Sequence, residues 1–383
     1  MLNENEQCDI LCANQQNGGN IMAAELLEGN AQVLSWLKEC VRDSGLDASH
    51  IDFPGQIRFS RHGNDIRMTL CGEAIGLAAD GETPLNMQDN DAAFEAWALI
   101  LHTYCGASVQ LTLDSNAELP DSGGILLSGD KSYTYGHCNR FLYRVMKFRK
   151  QLCSWFEILD ERLTTAVDQF ERALQEYAFC NNSPLAEATE YPNKQEPAVE
   201  AAFSRADQTI LAELAEAQEF GVSKLYRQLP VGLFLNQPKA APSRATSILT
   251  GQASAIDLWG LADSHDLAIY ELKTDNKMVG IITELMFYAN YVYDMFVDRE
   301  NTWKPREARK DYRGRLILWN KYKKKSLTGV RAFMLADALH PLITPRVIEA
   351  RGGDGIRYGA LSYEWNLAEK SEDVMILNVN KYF

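Results

Sequence analysis

The stretch LAIYELKTDNK carries a glutamate and a lysine two positions apart at the end of an apolar run. Successive side chains of a β-strand point to opposite faces, so Glu271 and Lys273 would share one face of a strand. A second strand-like run, SAIDLWGLA, comes just before it, and the four residues DSHD between the runs are typical of a turn. In a hairpin centred on Ser264, Asp257 would lie directly opposite Glu271. The pattern therefore predicts two carboxylates and an ammonium group on one face of a hairpin.

Both faces of this predicted hairpin carry apolar residues, which favours interior strands that are covered on both sides. Two unpaired carboxylates there would be costly, because burial disfavours their charged form. A divalent cation between Asp257 and Glu271 would remove the cost, since Mg²⁺ takes carboxylate oxygens together with water and phosphate. Lys273 could orient or deprotonate a water and offset negative charge on a phosphate. The three side chains thus suit phosphodiester hydrolysis; the alternative is an ordinary salt-bridge cluster at the rim of a sheet.

Asp257 followed by Glu271-Leu272-Lys273 resembles the D…(D/E)-x-K core of the PD-(D/E)XK nuclease superfamily. The flanking order of helix, three strands, helix, strand, helix, strand is similar to the restriction-endonuclease-like fold of that superfamily. The resemblance spans residues 195–365 and implies that Asp257 and Glu271 bind Mg²⁺ or Mn²⁺, with the Leu272 carbonyl as a further ligand. It also implies that Lys273 positions the attacking water.

The resemblance assigns roles to two predicted helices as well. In the superfamily the first helix often carries a glutamate that assists metal binding, and we expect Glu200, which lies deeper in the helix than Glu196, to hold a ligand water or a second metal. In many RecB-like and defence-associated members, the helix after the lysine carries Q-x-x-x-Y. Glu284 and Tyr288 have that spacing here and are the expected substrate-positioning residues, with glutamate in place of the glutamine.

The charge of the chain is unevenly distributed. Its net value of -14 argues against indiscriminate nucleic-acid binding, yet residues 303–325, the basic segment, hold ten basic and only two acidic residues. Aromatic residues lie among them, which predicts either a solvated basic face or a phosphate-binding surface with stacking platforms. On the second interpretation the segment binds nucleic acid, with DNA as the expected form. The residues expected to bind it are Lys304, Arg306, Arg309, Lys310, Arg313, Arg315, Lys321 and Lys323. A second basic cluster, at 140–150, would also grip the backbone.

Composition and periodicity predict an α/β protein with a mixed C-terminal sheet flanked by helices, preceded by a small α/β domain and a long helix. The expected segments are a disordered N-terminus (1–21), the small domain (22–136), one amphipathic helix (137–180), a linker (181–195) and the nuclease-like domain (196–383). Apolar residues recur at every third or fourth position of the helix, so it is either a spine between domains or the seam of a homodimer over 140–178.

The remaining sequence features concern location and biological role. No signal peptide or membrane helix is visible, and the eight cysteines show no repeating framework, so we expect a cytoplasmic protein with reduced thiols and no membrane partner. The favoured function is a Mg²⁺-dependent endonuclease; proteins resembling this one often act in bacterial or phage defence or in DNA processing. The alternative is a non-catalytic nucleic-acid-binding or assembly protein that retains the fold.

Overall fold

The computed structural model describes residues 26–77, 84–119, 132–151, 155–181, 195–235, 246–249, 254–275, 277–351, 355–367 and 374–383. The expected disordered N-terminus (1–21) lies outside the described residues, as does most of the expected linker (181–195). Among the described residues, no helix is long and apolar enough to cross a membrane. The cysteines in these ranges are all free.

The described residues form fourteen strands and nine α-helices. The strands are β1 (Leu26–Glu28), β2 (Ile57–His62), β3 (Asp65–Leu70), β4 (Ser108–Leu113), β5 (Phe156–Ile158), β6 (Phe179–Asn181), β7 (Val222–Pro230), β8 (Leu233–Leu235), β9 (Ser247–Leu249), β10 (Ala255–Ala262), β11 (Leu267–Lys273), β12 (Val330–Ala336), β13 (Ile356–Leu367) and β14 (Val374–Lys381). The helices are α1 (Asn30–Asp43), α2 (Phe94–Cys105), α3 (Ser132–Gln151), α4 (Glu161–Glu176), α5 (Gln195–Ser204), α6 (Gln208–Gln218), α7 (Gly280–Val292), α8 (Arg315–Lys323) and α9 (Pro345–Glu349).

The strands make three sheets, and the fold is mixed α/β as predicted. Strands β1 to β5 lie in chain order in the first sheet, where β1, β2 and β3 are antiparallel and β4 and β5 add in parallel. The second sheet has the order β14-β13-β12-β11-β10-β7, with parallel pairing only between β11, β12 and β13. Strands β6, β8 and β9 form a small third sheet. The second sheet is the mixed C-terminal sheet flanked by helices that the sequence predicts.

The prediction of one helix over 137–180 is wrong, because the chain forms α3 and α4 with β5 between them. Phe156 does not continue the helical stripe but pairs in parallel with Val109 of β4. The Asp160 carboxylate accepts hydrogen bonds from the backbone N–H groups of Arg162 and Leu163, which starts a new helix inside the predicted one. Both helices pack apolar faces on the same core, so the spacing of three and four residues continues across the break.

The apolar side chains that suggested a dimer seam are used within the chain. Phe141, Val145 and Phe148 of α3 are buried, as are Val167 and Phe170 of α4. All belong to one apolar core that extends from α1 through the first sheet to α7 and one face of the second sheet. A homodimer through 140–178 stays a prediction; the five side chains named above have partners within the chain, whereas Leu159 and Tyr177 of the same stripe are exposed.

The two faces of the second sheet have different coverings. Leu258 and Tyr270 point to the face covered by α5 and α6, in a second apolar cluster. Trp259 and Ile269 alternate with them and point to the α7 side, where they join the core shared with the first half of the chain. The side of the sheet on which α7 packs is therefore fixed by residues from both halves of the chain.

Helix α7 begins against the first half of the chain. Gly280 lies so close to the backbone of Gln88 that a Cβ atom there would overlap the Gln88 carbonyl. Thr283 donates a hydrogen bond of 3.1 Å to the carboxylate of Glu95, which also accepts one of 2.7 Å from Arg144 of α3. All three of these side chains are buried, so they fix the position of the first turn of α7.

Replacing Gly280 with alanine should therefore destabilise the protein. The added methyl group meets backbone, which cannot move aside as a side chain can, and overpacking of this kind costs about 1–3 kcal/mol. Gly55→Ala is the matched control, because its Cβ would meet only Asp91 Oδ1 at 3.7 Å, an ordinary contact. Urea unfolding of the two variants and the wild type measures the difference. Equal midpoints for the two variants would show that the approach of Gly280 to Gln88 is not tight.

Candidate active site

Strands β10 and β11 form the expected hairpin in the expected register. Leu258 pairs with Tyr270 in the antiparallel ladder, and one step further along the same register Asp257 faces Glu271. The backbone pairing stops at Leu258. Beyond Leu258, the Asp257 carboxylate accepts a hydrogen bond of 2.9 Å from the backbone N–H of Leu272. A side chain of β10 thus accepts the hydrogen bond that a backbone carbonyl would accept in a continued ladder. Asp257 is thus held by β11 at the end of the ladder.

Lys273 lies between two glutamates. Its ammonium group donates a hydrogen bond of 2.6 Å to Glu271 Oε1, and it lies 3.1 Å from Glu284 Oε2 without the alignment of a hydrogen bond. Tyr288, one turn further along α7, donates its hydroxyl to Glu284 Oε1 at 3.1 Å. These four side chains are buried. The spacing of four residues on α7 therefore brings Glu284 and Tyr288 to the E-x-K pair, as the resemblance implies.

Carboxyl groups outnumber cations around Lys273. The acid cluster, as we call it, consists of Glu196 of α5, Asp257, Glu271 and Glu284, and all four act electrostatically on the single ammonium group. Burial alone would lower the pKa of Lys273, but these carboxylates raise it well above its ordinary value. Lys273 is therefore an ammonium ion and a hydrogen-bond donor at neutral pH.

The acids themselves respond to burial and to one another. Burial raises the pKa of Asp257 to about 7; Lys273 opposes the effect, and Glu200, Glu196 and Glu284 add to it. Burial, then Asp257 and Glu284, raise the pKa of Glu271 well above its ordinary range. Burial likewise raises the pKa of Glu196. The protein therefore holds these acids close together at the cost of their ionisation.

The residues present fit a divalent cation between Asp257 and Glu271. Within the described ranges, Glu271 Oε2 is buried without a hydrogen-bond partner. The N–H and C=O of a strand residue point to the same neighbouring strand. Since the Leu272 N–H points to Asp257 of β10, the Leu272 carbonyl also points towards β10. No group of three His, Cys, Asp or Glu residues in the described part of the chain could hold a metal ion. A Mg²⁺ site needs only one or two carboxylates, completed by other oxygen atoms.

Glu200 lies near Asp257 but has other partners. Its carboxylate accepts hydrogen bonds of 3.0 Å from Arg227 Nε and, on both oxygens, from the Gln228 amide. Glu200 as a metal ligand stays a prediction, and the two partners from β7 were not anticipated from the sequence. The sequence signal was present, since Arg and Gln interrupt the apolar residues of LYRQLP, but nothing local connects them to Glu200.

Strand β7 is strained beside Asp257. Gln228 has a φ of 57°, a left-handed conformation that a non-glycine residue seldom adopts in a strand. The ladder between β7 and β10 pairs the residues on either side but skips Gln228 and Asp257. Such conformations cost about 1–3 kcal/mol and cluster at functional sites. Both ladders of β10 thus break at Asp257, which leaves its side chain free to face Glu271.

The basic segment presents cations that the chain does not neutralise. Among the residues that the structure describes, only Arg309 of the ten has an ion pair, at 3.8 Å from Glu307. The residues predicted to bind nucleic acid are all exposed or partly exposed: Lys304, Arg306, Arg309, Lys310, Arg313, Arg315, Lys321 and Lys323. The distribution suits contact with a polyanion.

An aromatic stack connects this segment to the acid cluster. A Cβ atom on Gly314 would lie 2.7 Å from the ring of Tyr226, so the segment rests directly on that ring. Tyr226 stacks on Trp259 with ring centroids 4.7 Å apart. Trp259 is two residues from Asp257 on the same face of β10, a separation of about 6.6 Å. The basic segment therefore lies on the same side of the sheet as the acid cluster, separated from it by Tyr226 and Trp259.

The 140–150 cluster is less available to nucleic acid than its sequence suggests, because its cations are buried or paired within the chain, and its contact with nucleic acid stays a prediction. Arg140 is buried and acts electrostatically on Glu284 and Tyr288 from the first half of the chain. The ion pairs of the other members are Arg144 with Glu95, Lys147 with Asp294, Arg149 with Asp168 and Glu171, and Lys150 with Glu171. Their partners come from elements far along the chain, which the local charge run does not reveal.

The raised pKa of Asp257 predicts a pH-dependent effect of Asp257→Asn. A carboxyl whose pKa rises from 3.8 in the unfolded chain to about 7 in the folded chain keeps its proton longer when folded. It therefore lowers stability progressively between those two pH values, and the full cost remains above pH 7. In chelated buffer at pH 8, Asp257→Asn should raise the free energy of unfolding by at most about 4 kcal/mol and therefore raise the thermal midpoint. Both gains should shrink as the pH is lowered towards 5. A difference that does not change with pH would contradict the raised pKa.

Comparisons with protein-family models, with curated proteins and with solved structures find no match to this chain. No relative therefore supplies an activity, a substrate or a set of ligands that could be carried over. Any function assigned to the chain depends on the side chains described above and on the resemblance of its motif to the PD-(D/E)XK nucleases.

Proposed function

We propose that this protein is a metal-dependent nuclease that hydrolyses phosphodiester bonds, with DNA as the expected substrate. The observation that carries the proposal is the buried excess of carboxylates at Asp257 and Glu271, where one oxygen of Glu271 lacks a partner among the described residues. The strained backbone at Gln228 and the neighbouring basic segment support it. A role in bacterial or phage defence is what the motif resemblance implies, and a cytoplasmic location is the expectation from the sequence features given above.

Asp257, Glu271 and the carbonyl of Leu272 would hold Mg²⁺ or Mn²⁺. When bound, the cation supplies Lewis-acid stabilisation of negative charge on the reacting phosphate. The carboxylates of the protein would lose their mutual repulsion in the same arrangement, which accounts for their burial side by side. Asp257 is already oriented for this role by the hydrogen bond that it accepts from the Leu272 N–H.

Lys273 would orient the attacking water and stabilise the phosphate. The surrounding acids keep it protonated, so it donates hydrogen bonds and offsets charge instead of removing a proton. Glu284 lies against its ammonium group and Tyr288 holds Glu284, so both residues would position Lys273. Glu200, fixed by Arg227 and Gln228, contributes negative charge behind Asp257.

The basic segment would bind the phosphates of the nucleic acid. Nine of its ten cations have no ion pair in the described residues, so they are available to replace the counterions of a polyanion. The stack of Tyr226 on Trp259 connects this surface to β10 two residues from Asp257, which supports the proposal. A strand bound there would pass the acid cluster without crossing the sheet.

A second candidate function is nucleic-acid binding without catalysis. The ion pair of 2.6 Å between Lys273 and Glu271 favours it, because that pair neutralises one carboxylate without a metal. On this account, binding survives the loss of Glu271 and does not depend on a divalent cation. The fold and the basic segment would then serve a binding or assembly role.

A cleavage assay separates the two functions. Glu271→Gln keeps the size of the side chain and removes its charge, and Lys273→Met removes the ammonium group. Each should lower the rate of Mg²⁺-dependent cleavage of labelled DNA by at least about 100-fold, the usual effect of losing one preorganised electrostatic group. Glu39→Gln, an exposed position on α1, is the matched control and should leave the rate unchanged. Circular dichroism checks that each variant is folded. Equal rates in all four proteins would exclude the proposed mechanism.

A further inference from the structure

We infer that the substrate of the candidate active site is single-stranded nucleic acid rather than a duplex. The inference rests on the proposed function and names the substrate class of that same site. Two independent features support it: the burial of the acid cluster, and the exposed apolar side chains within the basic segment.

The acid cluster meets the surface at Asp257 and Glu196, its two partly exposed members, while its other two members are buried. Glu271 is 2% exposed, Lys273 is 5% exposed and Glu284 is 7% exposed, whereas Asp257 is partly buried. A B-form duplex is a stiff rod with a persistence length of about 150 base pairs, so bringing one of its phosphates below the surrounding protein surface costs bending energy. A single strand is thin and flexible, so one phosphate can approach Asp257 while its neighbours remain on the surface.

The basic segment also exposes apolar side chains that a duplex would leave without contacts. Tyr312 is 41% exposed and Ile317 is 38% exposed, although both lie among cations that, Arg309 excepted, have no ion pair in the described residues. The guanidinium of Arg313 lies 5.2 Å from the centre of the Tyr312 ring, on the ring face. Cations alone are enough to bind the outside of a duplex, whose bases are stacked away from the protein. An exposed ring beside cations is what an unpaired base needs for stacking.

Cations lie close to Tyr312 in the chain on both sides, with Asp311 directly before the ring. Lys310 and Arg313 lie on either side of the ring in the chain, and neither has an ion pair in the described residues. A base stacked on Tyr312 would keep its flanking phosphates within reach of these two cations. Gly314, the next residue, rests on Tyr226 and so connects this position to the side of β10 that carries Asp257.

The test is a binding experiment in chelated buffer at fixed salt, so that no cleavage occurs. Fluorescence anisotropy compares one mixed sequence as single-stranded DNA, as single-stranded RNA and as a DNA duplex. Single strands should bind at least about tenfold more tightly than the duplex, and Tyr312→Ala should weaken single-strand binding about tenfold, the effect of losing one base–aromatic stack. Tyr312→Phe keeps the ring and should bind as the wild type does.

Tyr382→Ala is the matched control. Tyr382 is 43% exposed, like Tyr312, but follows β14 at the opposite edge of the sheet from β7. Duplex binding as tight as single-strand binding, no binding to single strands, or equal losses from Tyr312→Ala and Tyr382→Ala would each overturn the inference. Tighter binding of single-stranded DNA or of single-stranded RNA supports the inference in either case, and it shows whether the site prefers deoxyribose or ribose. If the preference holds but no strand is cleaved with Mg²⁺, the catalytic proposal fails and the binding inference stands.

Discussion

More acidic than basic side chains lie close together at the end of β11, and the surrounding structure has to compensate for this excess of negative charge. Lys273 is the one ammonium group in contact with Glu271 and Glu284 in the described residues, and Asp257 faces Glu271 from β10. Burying such a group of charges is unfavourable unless something compensates for it. The chain compensates in part by raising the pKa of its acids and of Lys273, and a divalent cation would complete the compensation.

The position of α7 determines whether this arrangement exists at all. The helix carries Glu284 to Lys273, and its first turn is fixed by Gln88 and Glu95 from the first half of the chain. The two halves share one apolar core, so they are not independent lobes joined by a spine. On the opposite side of the hairpin, Gln228 keeps a strained backbone and binds Glu200. The site is therefore assembled from three parts of the sequence, with β10 and β11 at its centre.

Local sequence was enough to predict the hairpin, its register and the helical pair Glu284 and Tyr288, because each depends on alternation, a turn or a spacing of four residues. The prediction of a single helix over 137–180 was wrong because a spacing of three and four residues does not reveal that β5 interrupts it. The ion pairs of the basic cluster at 140–150 could not be predicted, because partners such as Asp294 lie far along the chain. The left-handed backbone of Gln228 has no local signal, since tertiary packing imposes it.

We expect Asp257 and Glu271 to share a divalent cation. Calorimetric titration of the metal-free protein with Mg²⁺ or Mn²⁺ tests this expectation and requires no knowledge of the substrate. We expect the wild type and Glu39→Gln to bind the metal with a measurable isotherm. Asp257→Asn and Glu271→Gln should show no binding. No binding to the wild type, or equal binding to all four proteins, would contradict the claim and leave the carboxylates as a salt-bridge cluster with Lys273.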